Sequence, residues 1–222
     1  MNEIIIGSDF EVFIYKNNNL VECDLLLPNA TKSEPILYNN HYITHDRKSL
    51  ECSMPPFIYD PNDKLQLYKK VSKSIGILDS FIKSINPEYT IVFKDAVSLN
   101  YNTNWKKGYE YNIYSGIERP KVINDNIITN GFHLHFTGIQ DKENLIKTLD
   151  KTIGLYYKTI APFTKRKQYG KLGDYRDKKY DTLTVGFEYR TLGGIMLNKF
   201  NLKITSIVLN IVLFMLNKKN QK

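Results

Sequence analysis

The spacing of apolar residues changes several times along the chain, and each spacing predicts a kind of backbone. Residues 3–16 read as a strand, Asn17-Asn18-Asn19 as a turn and residues 20–27 as a second strand, together a hairpin. A short strand pair flanks Asn39-Asn40, and residues 49–54 form a further strand ended by Pro55-Pro56. The period then lengthens. Leu67, Val71, Ile75, Leu78, Ile82 and Ile85 recur three or four apart, the spacing of a helix that buries one face, and Asn86-Pro87 ends it. Residues 89–99 return to strand, residues 100–130 read as loops with two short strands, and residues 131–137 alternate strictly. Asp141 is the expected N-cap of a second helix, with Leu145, Leu149, Ile153, Tyr156 and Ile160 as its apolar stripe before Pro162. A basic loop spans 165–179, residues 184–192 form a strand, and residues 202–216 form a strongly apolar helix.

Composition narrows the class. With 222 residues, 42% hydrophobic and 24% charged, and no sharp change along the chain, one folded domain over 1–222 is expected. The first fifteen residues carry Glu3, Asp9 and Glu11 where a secretory core would be uninterrupted, so a cytoplasmic location with Cys23 and Cys52 reduced is expected. The apolar run 204–216 is 13 residues, shorter than the ~20 a bilayer requires, and it contains Asn210; a buried or partner-facing helix is expected rather than a membrane span. The net charge of +8 raises nucleic-acid binding, but Lys, Asn, Ile and Tyr are abundant together, as an AT-rich coding sequence produces. The basic excess gathers in the 165–179 loop and in Lys218, Lys219 and Lys222 rather than along one stripe.

The chemistry lies in four strands. Residues two apart on a strand share a face. Asp9 and Glu11 therefore face together, backed by Phe10, Val12 and Ile14; His133 and His135 are backed by Phe132, Leu134 and Phe136. Glu188 and Arg190 are backed by Phe187 and Tyr189, while Glu51 shares its side with Ser53. If the strands form one sheet with helices on the apolar face, the other face collects carboxylates, imidazoles and a guanidinium. Lysine, the most plentiful basic residue, is absent from these positions. Carboxylate with imidazole suits divalent cations, and such ions beside arginine suit nucleotide phosphates. In the basic loop, Arg166 and Arg176 are the candidate oxyanion clamps, because guanidinium binds in two-pronged fashion.

These residues resemble a known family. Gly7-Ser8-Asp9-Phe10-Glu11-Val12-Phe13, Asp46 with Glu51-Cys52-Ser53-Met54-Pro55-Pro56, and Gly131-Phe132-His133-Leu134-His135 are similar to strands of the phage carboxylate-amine ligases of the second type. Tyr169-Gly170-Lys171-Leu172-Gly173-Asp174-Tyr175-Arg176 and Gly186-Phe187-Glu188-Tyr189-Arg190-Thr191-Leu192 carry the closest match. That family is a branch of the glutamine-synthetase-like amidoligases. Ser53 stands where the family usually has Asn, and Gly193-Gly194 replaces a Ser-Asn pair.

The resemblance implies an α+β fold, a curved, largely antiparallel sheet of glutamine-synthetase catalytic-domain type backed by helices, with ATP and Mg2+ or Mn2+ on its concave face. It implies Glu11, Glu51, His133 and Glu188 as metal ligands, and Arg190, Arg176 and Arg166 as the cations that neutralise phosphoryl and acyl phosphate. His135, Lys171, Tyr169 and Arg190 would contact the nucleotide, and Asp9 or Asp46 would accept the amine's proton. The partners implied are a carboxylate and an amine, on a small molecule, peptide or protein, and an oligomer is compatible. Two other readings compete: a basic nucleic-acid binder using the loop and tyrosines, and a metal-dependent hydrolase on the same face.

Overall fold

A computed structural model describes residues 3–46, 48–98, 127–162, 171–180 and 184–219. Its centre is β1 (Ile5–Lys16), against which four other strands pair among the described residues. Around it lie β2 (Asn19–Leu20), α1 (Cys23–Leu26), β3 (Ile36–Tyr38), β4 (His41–Asp46) and β5 (Ser49–Ile58), followed by α2 (Gln66–Ile85), β6 (Thr90–Val92) and β7 (Ala96–Ser98). From residue 127 come β8 (Ile127–Thr129), β9 (Phe132–Thr137), α3 (Lys142–Leu149), a π-helical turn (Asp150–Gly154) and α4 (Leu155–Ile160). Then follow β10 (Tyr175–Lys179), β11 (Val185–Tyr189), a 3-10 turn (Gly194–Leu197) and α5 (Lys199–Lys219).

Among the described residues the main sheet runs β10-β11-β9-β1-β5-β4-β3, with β2 and β6 also pairing β1, and every pairing is antiparallel. The sheet is not closed and the fold is α+β. Both expected turns form: Asn17, Asn18, Asn39 and Asn40 all take positive φ, the left-handed conformation that Asn tolerates and a tight hairpin requires.

Phe10, Cys52, Ile43 and Phe132 align across four strands and Ile6, Phe57 and Phe136 across three, and this face is buried under α2, α3 and α5. Leu67, Val71, Leu78 and Ile82 of α2 enter the same core, each contributing about 1.5–3 kcal/mol if fully buried.

Several sequence expectations are corrected. Residues 20–27 do not extend as a strand: β2 ends at Leu20, Glu22 pairs with the buried ammonium of Lys48, and the chain coils into α1 with Cys23 inside the core. Pro55-Pro56 does not end β5. The register jumps from Ile6↔Phe57 to Ser8↔Met54, so both prolines bulge opposite Gly7, where no ladder donor is needed. Residues 89–99 split into β6 and β7 in different sheets, because Asp95 between them is anchored by Tyr157 Oη at 3.0 Å and Ile195 N–H at 3.0 Å. The segment 165–179 is not all loop, since β10 occupies its end. The π turn adds a residue to the helical repeat, so Tyr157 rather than Tyr156 is fully buried.

The last helix is 21 residues, not the 15 of 202–216, because Lys199, Phe200 and Asn201 before the apolar run and Asn217, Lys218 and Lys219 after it are helical too. By length and composition, Lys199–Lys218 is long and apolar enough to cross a membrane, so the length argument made from 204–216 does not hold. One face of it packs in the core through Leu202, Leu209 and Leu213.

Candidate functional site

The polar sheet face is built by register. Asp9 pairs with His133 on one side and Ser53 on the other; Glu11 pairs with Glu51; Glu188 pairs with His135 and with Arg176. Because side chains alternate, these pairings put Asp9, Glu11, Glu51, His133, His135, Glu188 and Arg176 on one face of five adjacent strands. The face is not solvent-washed. Glu11, His133, His135, Glu188 and Arg190 are all buried, which demands compensation for every charge.

Glu188 is the hub. Its Oε1 lies 3.1 Å from His133 Nδ1 and 3.4 Å from Arg190 Nε, and its Oε2 accepts from Arg176 Nε at 2.8 Å and from Arg176 Nη2. Burial alone would raise its pKa, but His133, Arg190 and His135 outweigh that and hold it well below the usual carboxylate range. Arg190 is placed by the backbone: its N–H donates to Asp174 O at 2.8 Å, extending the β10–β11 pairing past Tyr189.

Asp9 forms the second group. Its Oδ2 is 3.1 Å from His135 Nε2 and 3.4 Å from Lys178 Nζ, and Lys178 Nζ is also 3.4 Å from His135 Nδ1. Burial opposes ionisation here too, but His135, Lys178 and Ser53 hold the Asp9 carboxyl well below its ordinary value.

Glu11 and Glu51 form the third. Gly131 N–H donates to Glu11 Oε2 at 2.6 Å while Glu11 N–H donates to Gly131 O at 2.9 Å, and Glu51 is 3.1 Å from Lys32 Nζ.

Of the residues expected from sequence, Asp9, Glu11, Glu51, His133, His135, Glu188, Arg176 and Arg190 lie on or beside this face. Asp46 sits in β4 opposite Ser49, and its side chain lies outside the described residues. Arg166 and Tyr169 also lie outside them. Lys171 is exposed in the turn before β10; its carbonyl receives Thr191 Oγ1 at 2.9 Å, and its side chain joins no ion pair among the described residues. Sequence reading missed Lys178 and Lys32. The Lys178 signal was its place two residues after Arg176, which a strand reading of 175–179 would have put on the same face.

The donors suit a divalent cation in kind, as carboxylate pairs with adjacent imidazole do. Among the described residues, however, no three His, Cys, Asp or Glu side chains are grouped to hold one. Glu188 is taken up by its cations and Glu51 meets Lys32, so ion binding here requires a carboxylate to exchange a protein cation for the metal.

Residues 126–222 match the family described as phage phiEco32-like COOH.NH2 ligase-type 2, the family that the strand motifs resemble. A solved structure described as a novel glutamine synthase homolog aligns with TM-score 0.44 and 9% identity, over 96% of this chain and 55% of that one. The chain thus spans about half the length of that protein. No curated protein matches the chain.

Proposed function

We propose that this chain, whose residues 126–222 match that ligase family, joins a carboxylate to an amine at the expense of ATP, through an acyl phosphate and with a divalent metal. The observation that supports it best is the placing of Glu188, His133, Arg190 and Arg176 in contact on the same sheet face as the opposed carboxylates Glu11 and Glu51.

In this reading Glu11, Glu51, His133 and Glu188 would hold Mg2+ or Mn2+, and the ion would supply neutralisation of phosphate oxygens. Arg176, one-third exposed at the sheet edge, meets the incoming anion, and Arg190 stays behind it as a buried cation. A substrate carboxylate oxygen attacks the γ-phosphorus and ADP leaves; the amine nitrogen then attacks the acyl carbon, phosphate leaves, and the amine's proton passes to a base. Fixed guanidinium groups stabilise charge as it develops on the transferred phosphoryl without having to reorganise. Asp9, held ionised between His135 and Lys178, orients His135 beside that chemistry. Lys178 is the additional cation on the same wall, and Asp46, Arg166, Tyr169 and Lys171 complete the proposed set from the surrounding segments.

The test is ADP release from ATP on screening amines against carboxylates. The reading requires release that depends on both substrates and yields an amide detectable by mass spectrometry. ATP hydrolysis that needs neither would instead assign the face to a hydrolase.

A further inference from the structure

Arg176, Lys178 and Tyr180 stand two apart along β10 and the residue that follows it, so they share the polar face, while Asp177 turns the other way to pair with Lys142 of α3. The backbone pairing runs on through Tyr180, whose N–H donates to Thr184 O at 3.0 Å. Among the described residues β10 is the edge strand beyond β11, so this row borders the face along one side. It holds hydrogen-bond donors and no carboxylate. Arg176 is anchored on Glu188, and Lys178 Nζ stands 3.4 Å from both Asp9 Oδ2 and His135 Nδ1, longer than an ordinary hydrogen bond.

Tyr180 has no part in the site as described so far, yet its ring lies on it. The ring centroid is 6.0 Å from that of His135, and Lys178 Nζ stands 5.6 Å from it. Gly186, which faces the same way as Glu188, makes the room: a Cβ there would come within 3.0 Å of Tyr180 Cε2. The residue is 40% exposed, and its hydroxyl makes no hydrogen bond among the described residues. Burial pushes that hydroxyl above the ordinary phenol range, and Glu188 and Asp9 add to the rise against Arg176, so it remains an O–H donor at neutral pH.

We propose that Tyr180 contacts substrate, its hydroxyl joining Lys178 and Arg176 in an oxyanion subsite along the β10 edge of the face. A guanidinium, an ammonium and a protonated phenol are all donors, and an anionic oxygen is the group that accepts from all of them at once. The packing of the ring against His135 and over Gly186 fixes the hydroxyl before the ligand arrives. Phosphate and carboxylate share this chemistry. Both occur in the ligase reading, as the nucleotide and the acyl substrate, and the choice between them rests on that reading.

NMR titration of the full chain with inorganic phosphate and, separately, with propionate, each in the presence of Mg2+, reads the subsite without turnover. The native chain should bind at least one of the two, with the Tyr180 ring signals shifting on saturation. Tyr180→Phe keeps the ring and removes only the O–H, and should weaken that binding about tenfold with circular dichroism unchanged, the order expected for a hydrogen bond to a charged acceptor. Loss for phosphate assigns the subsite to the nucleotide, and loss for propionate assigns it to the carboxylate substrate. Should Tyr180→Phe lose its fold, the ring shifts of the native chain decide. Binding of neither anion, or ring signals that stay in place on saturation, overturns the proposal. So does equal binding by Tyr180→Phe with loss only in Tyr180→Leu, which marks a packing role alone. The ligase reading fails separately, on Mg2+-dependent binding of ATP: a chain that binds these anions through Tyr180 but not ATP keeps the subsite and loses the ligase, and one that binds ATP with Tyr180→Phe unaffected throughout does the reverse.

Discussion

Gly131 and His133 occupy each other's space: a Cβ on Gly131 would stand 2.1 Å from His133 Nε2. The imidazole that contacts Glu188 thus brings its Nε2 corner up against a glycine two residues earlier in the chain, and that glycine's N–H also holds Glu11. One missing methyl group links the Glu188 hub to the Glu11–Glu51 pair.

Gly131→Ala is accordingly expected to push His133 out of reach of Glu188. Overpacking of this kind costs about 1–3 kcal/mol, measurable by urea denaturation. In a crystal structure of the variant the His133–Glu188 contact should be lost. An unchanged contact with native stability would show that the close approach is not required.

The proposed metal binding has a readout independent of catalysis. At a hundredfold excess over Kd, Mn2+ should raise the melting temperature by about 5–10 °C, reversibly with EDTA. Glu11→Gln and Glu51→Gln should each remove most of that rise. The Glu51 variant is the cleaner probe, because its Lys32 pair is largely exposed on the lysine side and contributes under about 1 kcal/mol. The same rise in both variants would place the ion elsewhere.

The two thiols should be inert in the folded chain. Both are free and buried; burial, with Asp24 nearby, pushes Cys23 up to about 12, and burial with Asp9 and Glu51 raises Cys52 beyond the ordinary thiol range. Iodoacetamide at about pH 8 should label neither until urea unfolds the protein, because the reactive thiolate is scarce well below those values. Rapid labelling of Cys52 would mean that the β1–β5 pairing opens easily.

The polar face was legible in the sequence because strand alternation is local: Asp9 and Glu11, His133 and His135, and Glu188 need only a period of two to be placed together. Their order across the sheet was not, since β5 and β9 meet β1 through pairs remote in sequence, such as Glu11 with Glu51 and Asp9 with His133. Lys178 was hidden by the charge of 165–179, which resembles a solvated loop although its end pairs with β11. Pro55-Pro56 misled because a bulge opposite Gly7 removes the penalty that proline ordinarily imposes on a strand. The Tyr156 to Tyr157 shift reflects the π turn, a distortion set by tertiary contacts of Asp150 with Tyr189 Oη at 2.7 Å and Thr191 Oγ1 at 3.4 Å. At α5, polar residues at both ends, Lys199 and Asn201 before the apolar run and Asn217, Lys218 and Lys219 after it, concealed its true length.

Whether the sheet face receives a metal–nucleotide complex through its Glu188 hub, as proposed, is read without knowledge of the substrates by calorimetric titration of ATP with and without Mg2+. Binding should require Mg2+ and be lost in Glu188→Gln, with the variant's fold checked by circular dichroism. Failure of the native chain to bind at about millimolar ATP, a Kd corresponding to only ~4 kcal/mol, would contradict the proposal, as would equal binding by Glu188→Gln.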